Sequence, residues 1–132
     1  MHAVVDSSLW IDTWRGEVSA DEREIVAKLW REGGAVLPQI IWLELVAGLR
    51  SPEERSYVAD IRTVCHWEPL SESDGIESER LARLLHKKGL VLPASDLLIL
   101  TVAKRLDFQL LHHDEDFTRV LKLPEFAGQR AK

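Results

Sequence analysis

The sequence predicts an α/β fold built around a parallel sheet, and two observations carry that expectation. Short strand-like runs recur at Ala3-Val4-Val5, Ala35-Val36-Leu37, Thr63 to Trp67 and Phe108 to Leu111, with helical patterns between them. Such alternation is the signature of strand–helix–strand units with parallel pairing. The first run is also β-branched and apolar without polar alternation, as in a strand covered on both faces.

Taken in order, Ala3 to Val5 stops at Asp6, and Ser7-Ser8 turns the chain into a short helix or turn from Ser8 to Trp14. Ser19 and Glu22 form a capping-box pattern. Ile25, Val26, Leu29 and Trp30 follow at helical spacing until Gly33-Gly34 stops the helix. Ala35 to Leu37 is the second strand, closed by Pro38. Ile40 to Arg50 is apolar on almost every side, with one stripe of Ile40, Ile41, Glu44, Ala47 and Gly48 and another of Trp42, Leu45, Val46 and Leu49. A helix of that kind is covered on several sides, and an additional partner could supply part of the cover.

Ser51-Pro52-Glu53-Glu54 starts the next helix, with a cap, a first-turn proline and Tyr57, Val58 and Ile61 on one face. Thr63 to Trp67 reads as the third strand. Ser71 to Lys88 is a helix with an acidic start and a basic end, which suits the helix dipole, and Gly89 ends it. Pro93 closes an extended approach, Ser95 is a cap, and Asp96 opens a helix that is apolar through Val102. Phe108 to Leu111 is the last clear strand, followed by His112-His113-Asp114-Glu115-Asp116-Phe117, and the chain from Leu123 shows no clear pattern.

The length of 132 residues suits one domain over residues 1–132 with a sizeable core. A composition of 45% hydrophobic and 30% charged residues excludes a disordered chain. No apolar run approaches the length of a membrane span, and no signal peptide precedes Asp6. The lone Cys65 cannot form an intrachain disulfide, so a reducing cytoplasm is expected. A net charge of −5 argues against broad electrostatic capture of nucleic acid. It does not exclude a nucleic-acid enzyme, because a bound divalent cation reverses the local sign at an acidic site.

The chemistry-bearing residues are acids. Asp6 follows the first strand and Asp114 the last, the edge of an α/β sheet at which ligands collect. Asp96 stands at a helix start. Each has an ordinary reading too: Asp6 as a helix cap, Asp96 as a helix-start acid, and Asp114 and Asp116 as solvated turn residues. Glu44 sits on an apolar stripe, where an unpaired carboxylate costs several kcal/mol. Either an Arg partner or a cation shared with the other acids would offset that cost. Carboxylates gathered at one point repel unless a cation neutralises them, and oxygen ligands without thiolates select magnesium or manganese over zinc.

With those acids in place, VVDSSLWID, IIWLELVAGL, LPASDLLILTVA and LLHHDEDF resemble, in order and spacing, the PIN-domain family and within it the VapC-type toxins. The resemblance runs from Val4 to about Leu121. It implies a three-layer α/β/α sandwich around a mainly parallel sheet of four or five strands. It implies a magnesium- or manganese-dependent endoribonuclease, the toxin of a toxin–antitoxin pair, with RNA as substrate. A cognate VapB-like antitoxin that blocks the acidic site, a homodimer and a cytoplasmic setting go with it. Carried over by position, the family's acidic quartet falls on Asp6, Glu44, Asp96 and Asp114, with Asp116 as a supporting ligand. One position departs: where Thr or Ser commonly stands two residues before the last acid, this chain has His112, and imidazole there is expected to add pH dependence.

Other residues carry blander readings. One of His112-His113 is expected to pack or face solvent, since no third soft ligand is spaced for a transition metal. Trp30 and Trp42 read as core or interface, and Trp10 and Trp14 as contributors to a partner surface. Three other function classes remain in view. A receiver-like signalling module also binds magnesium, but it wants paired acids after the first strand and an Asp after the third. An Asp-nucleophile phosphatase wants a second Asp where Ser8 stands. A non-catalytic binding domain needs neither.

Overall fold

The structure is a computed structural model that describes residues 1–131. Four short strands form one fully parallel sheet: β1 (Ala3–Val5), β2 (Ala35–Pro38), β3 (His66–Glu68) and β4 (Gln109–Leu111). They lie in the order β3-β2-β1-β4, with Val4 opposite Val36 on one side and Leu110 on the other. Every residue of β1 and β2 is buried, so helices cover both faces of the sheet, which makes the three-layer α/β/α arrangement.

Two helices fill each crossover. α1 (Ser7–Arg15) and α2 (Ala20–Glu32) join β1 to β2, α3 (Gln39–Ala47) and α4 (Pro52–Val64) join β2 to β3, and α5 (Glu72–Lys87) and α6 (Ala94–Leu106) return the chain to β4. A short α7 (Glu115–Val120) and a 3-10 turn over Pro124–Gln129 complete it. The chain leaves β1 toward β2 on one side and comes back to β4 on the other. The carboxyl ends of β1 and β4 are therefore a topological switch point, where a crevice opens between diverging connections.

Local chemistry explains the helix boundaries. Ser19 and Ser71 each accept from the backbone N–H three residues on, and Glu22 and Asp74 return the bond to the cap, so two orphan donors are met at each start. Gly33 ends α2 in the left-handed region at φ 70°. Gly34 is needed for a different reason: a Cβ there would sit 2.1 Å from the Met1 carbonyl oxygen, on the backbone that pairs Ala3 N with Gly34 O.

The structure moves several expected boundaries. Thr63 and Val64 belong to α4 and not to the third strand: Thr63 Oγ1 donates back to Ala59 O at 3.1 Å, Ile61 is buried, and the extended backbone begins at Cys65. The helix expected from Ile40 to Arg50 runs from Gln39 to Ala47. Pro93, not Ser95, is the cap of α6, and Ser95 lies inside the first turn. Trp10 is not at the surface; it is wholly buried and meets Trp30 edge-on at 6.0 Å. Among the described residues the sheet has four strands. After α7 the buried Phe126 packs the chain back on the core, and Arg130 donates to the carbonyls of Leu121, Lys122 and Leu123 at the helix end.

Candidate active site

The four acids singled out in the sequence converge on the switch point. Asp6 follows β1 directly and is the N-cap of α1, its Oδ2 accepting from Ser8 N at 3.2 Å and from Ser8 Oγ. Its cap role and its place at the site are therefore compatible. Asp6 N donates to Leu111 O at 2.9 Å, which ties the ends of β1 and β4 together. Asp114 is the N-cap of α7, with Oδ1 accepting from Asp116 N at 2.8 Å. Asp96 is the third residue of α6, in the positive field of a 13-residue helix. Glu44 enters from the second turn of α3, where Ser7 Oγ donates to its Oε1 at 3.1 Å. No arginine pairs with Glu44 among the described residues, so the structural ion-pair reading is not met.

Asp6, Glu44, Asp96 and Asp114 line one cleft of about 390 Å³ together with Ser7, Ser8, Asp12, Arg15, Arg50 and Glu54. The tightest group is Asp96, Asp114 and Asp116, whose carboxylate oxygens come within 4.8 Å of one another. Asp116 also pairs with Arg119. A larger hollow of about 650 Å³ lies along the end of α5 and the loop to α6. Four leucines share its lining with Arg83, His86 and Lys87, and Glu79 is its only acid, so it carries no converging acids.

The electrostatics are those of crowded carboxylates. Burial and then the neighbouring charges of Asp114, Asp6, Glu44 and Asp116 push the Asp96 carboxyl up to about 7. Burial raises Asp6, with Asp114 adding to it against the bonds from Ser8. Glu44 is raised by burial and then by Asp6. Each of these shifts means that the metal-free protein disfavours full ionisation at the site. An oxygen-only donor set that is strained by its own charge fits a hard divalent cation. The three short-range oxygens of Asp96, Asp114 and Asp116 would hold it, with Asp6 and Glu44 alongside.

His112 and His113 separate here. His112 Nδ1 accepts from Asp114 N at 3.0 Å, and burial lowers its pKa. The imidazole thus accepts the bond that a hydroxyl could accept at that position, and it does so as the neutral ring. His113 neither packs apolar nor faces open solvent. Its Nδ1 meets Asp12 Oδ2 at 2.7 Å and its Nε2 meets Glu22 Oε2, and these two carboxylates raise its pKa, Asp12 first. Ser7, Ser8 and Asp12, which line the cleft, and Glu22, bonded to His113 outside it, were not expected from the sequence to serve the site. Ser7 and Ser8 stand next to Asp6, which is the one signal that could have pointed to them.

A family model described as the PIN domain matches residues 3–123. The chain belongs to the PIN-domain family. None of the curated proteins compared matches the sequence of this PIN domain. Among solved structures it is similar to a chain of the VapBC2 complex of Rickettsia felis bound to a DNA fragment from its promoter, with a TM-score of 0.76, 16% identity and 95% of each chain covered. It is also similar to a chain of a toxin–antitoxin complex from Klebsiella pneumoniae, with a TM-score of 0.71, 17% identity and 93% of each chain covered. At such identities the likeness is one of fold, and it extends over nearly the whole of this PIN domain. Among the described residues no helix is long and apolar enough to cross a membrane.

Proposed function

We propose that this PIN domain is a magnesium- or manganese-dependent endoribonuclease, the VapC-type toxin of a toxin–antitoxin pair. The observation that carries the reading is the convergence of Asp96, Asp114 and Asp116 within 4.8 Å, with Asp6 and Glu44 lining the same cleft. Asp6, Glu44, Asp96 and Asp114 form the catalytic unit and, with Asp116, hold the cation. When bound, a divalent cation there lowers the pKa of a water and offsets charge on a scissile phosphodiester. Glu44, oriented through Oε1 by Ser7, is placed to take a proton from an attacking water; Asp114 is the other candidate. Arg15 and Arg50 border the cleft without an ion-pair partner among the described residues, which suits them to flanking RNA phosphates. The products would carry a 5′-phosphate and a 3′-hydroxyl.

The two structural neighbours, both from toxin–antitoxin complexes, support a VapB-like antitoxin as the protein partner. A homodimer and a cytoplasmic setting belong to the same reading. The test is cleavage of a structured RNA by protein freed of any antitoxin. Chelation should abolish cleavage and manganese should restore it, while calcium, with looser coordination, should restore it poorly. Asp96→Asn should lower the rate by orders of magnitude and controls for contaminating nuclease. Cleavage that survives both chelation and this substitution would refute the reading.

A further inference from the structure

We propose that His113, clamped between Asp12 and Glu22, is a positioning residue that sets where Asp6 and Asp114 stand relative to each other. This rests on the metal-binding reading of the acidic site and adds to it a layer of residues outside the carboxylate cluster.

The clamp acts through three linked bonds. His113 N donates to Ser8 Oγ at 3.0 Å. Because that lone pair of the hydroxyl is occupied, the Ser8 proton turns to Asp6 Oδ2, which it reaches with a short bond. Asp6 is thus oriented by a hydroxyl whose own direction is fixed from the turn that follows β4. The residue after His113 is Asp114, so the backbone that orients Ser8 also delivers the acid at the end of the other strand. A shift of His113 would move Asp114 directly and release Asp6 through Ser8.

Two helices fix His113 in turn. Asp12 lies in α1 and Glu22 in α2, 101 and 91 residues away in sequence, and they meet opposite nitrogens of the ring. A ring held at both ends can neither flip nor swing. Glu22 is itself doubly committed: Oε1 accepts from Ser19 N at 2.9 Å in the α2 capping box while Oε2 takes His113. The start of α2 is therefore coupled to the acidic site, although no residue of α2 lines the cleft. An ion pair that served stability alone, such as Arg31–Glu24 or Arg83–Glu79, has no bond onward to a site residue.

Residues that orient metal ligands by hydrogen bonds change metal affinity by roughly 10–100-fold when removed. The full chain, stripped of metal and of any antitoxin, is titrated with manganese by calorimetry. His113→Ala should weaken binding roughly 10–100-fold, and Asp12→Ala or Glu22→Ala should weaken it in the same direction. Asp12→Asn, which keeps an acceptor, should recover most of the loss seen with Asp12→Ala. Arg105→Lys, at an ion pair remote from the cleft, should lower the melting temperature and leave manganese affinity unchanged. If Asp114→Asn loses manganese while His113→Ala and Asp12→Ala bind it as the parent does, the clamp is overturned and the metal site stands. Equal weakening by Arg105→Lys would overturn the clamp as well, since global destabilisation would then explain the loss. If the parent protein and Asp114→Asn both fail to bind manganese, the clamp and the metal reading fall together. Should His113→Ala not fold, as judged by circular dichroism, the Asp12 pair of variants decides.

Discussion

Asp96, with its carboxyl pushed up to about 7 from an ordinary 3.8, makes a prediction that needs no substrate. An acid with a raised folded-state pKa holds its proton in the folded protein after the unfolded chain has released it. Folding therefore takes up a proton between pH 4 and pH 7, roughly, and weakens as pH rises across that window. Asp6 and Glu44 shift in the same direction. The metal-free protein should melt at lower temperature at pH 7.5 than at pH 5, and magnesium should reverse the loss. Asp96→Asn should raise the metal-free melting temperature at pH 7.5 by several degrees, since about 1 kcal/mol is worth roughly 4 °C in a domain of this size. His112 works in the opposite sense. Its folded pKa is lowered, so its contribution is complete above the unfolded value of 6.5 and is lost as pH falls toward the folded one. The sensitivity expected of this imidazole near neutral pH therefore belongs on the acid side. His112→Thr should remove that acid-side loss in melting curves between pH 4.5 and 7.5, with the hydroxyl taking over the Asp114 N–H.

At the scale of elements, one guanidinium joins α5, α6 and β3. Arg105 of α6 donates through Nε and Nη2 to both oxygens of Asp74 at 2.8 and 3.1 Å, and through Nη1 to Glu68 at 2.9 Å. Asp74 is only 1% exposed. Its burial would raise its pKa, but the bonds from Arg105 and Ser71 outweigh that and hold it below the ordinary value. Leaving such a carboxylate unpaired costs on the order of 3 kcal/mol, so Arg105→Ala should lower stability by about that much in urea melts. α3 makes a different prediction. Its Ile41 and Leu45 are buried, while Leu43 is 52% and Val46 41% exposed. Of the side formed by Trp42, Leu45, Val46 and Leu49 only Val46 is exposed, because Leu45 is in the core and Trp42 and Leu49 pack against it. Leu43 stands exposed outside both expected stripes, and Trp14, stacked on Tyr57 at 4.9 Å, is exposed as well. Leu43→Glu and Val46→Glu should weaken antitoxin binding in calorimetry and leave the melting temperature of the isolated protein within about 2 °C, because neither side chain is in the core. Trp10 cannot share in that surface. Its burial was not legible because Trp10 and Trp14, one turn apart on a short helix, look alike in sequence. Only the position of Trp30 and of the sheet decides which of them is covered.

For the whole molecule, the order of elements was legible because punctuation was explicit: Ser19, Ser51 and Ser71 cap, and Gly33 and Gly89 stop. The third strand was misplaced because Thr63 and Val64 are β-branched, a local preference that the helical packing of Ile61 overrides. The acids themselves stood out by their place at strand ends and on an apolar helix. The residues that hold them did not. Ser8, Asp12, Glu22 and His113 are individually ordinary polar residues, and the bonds among them span 91 to 105 positions of sequence. Only a sheet whose first and last strands are neighbours brings them together. The account then stands on whether the converged acids work as one unit. The direct measurement is the single-turnover rate of RNA cleavage at saturating magnesium for Asp6→Asn, Asp96→Asn and the double variant. Members of one catalytic unit are strongly non-additive, so the double variant should be about as slow as the slower single variant. A double variant slowed by the product of the two separate losses would mean that Asp6 and Asp96 act independently, and would contradict the account.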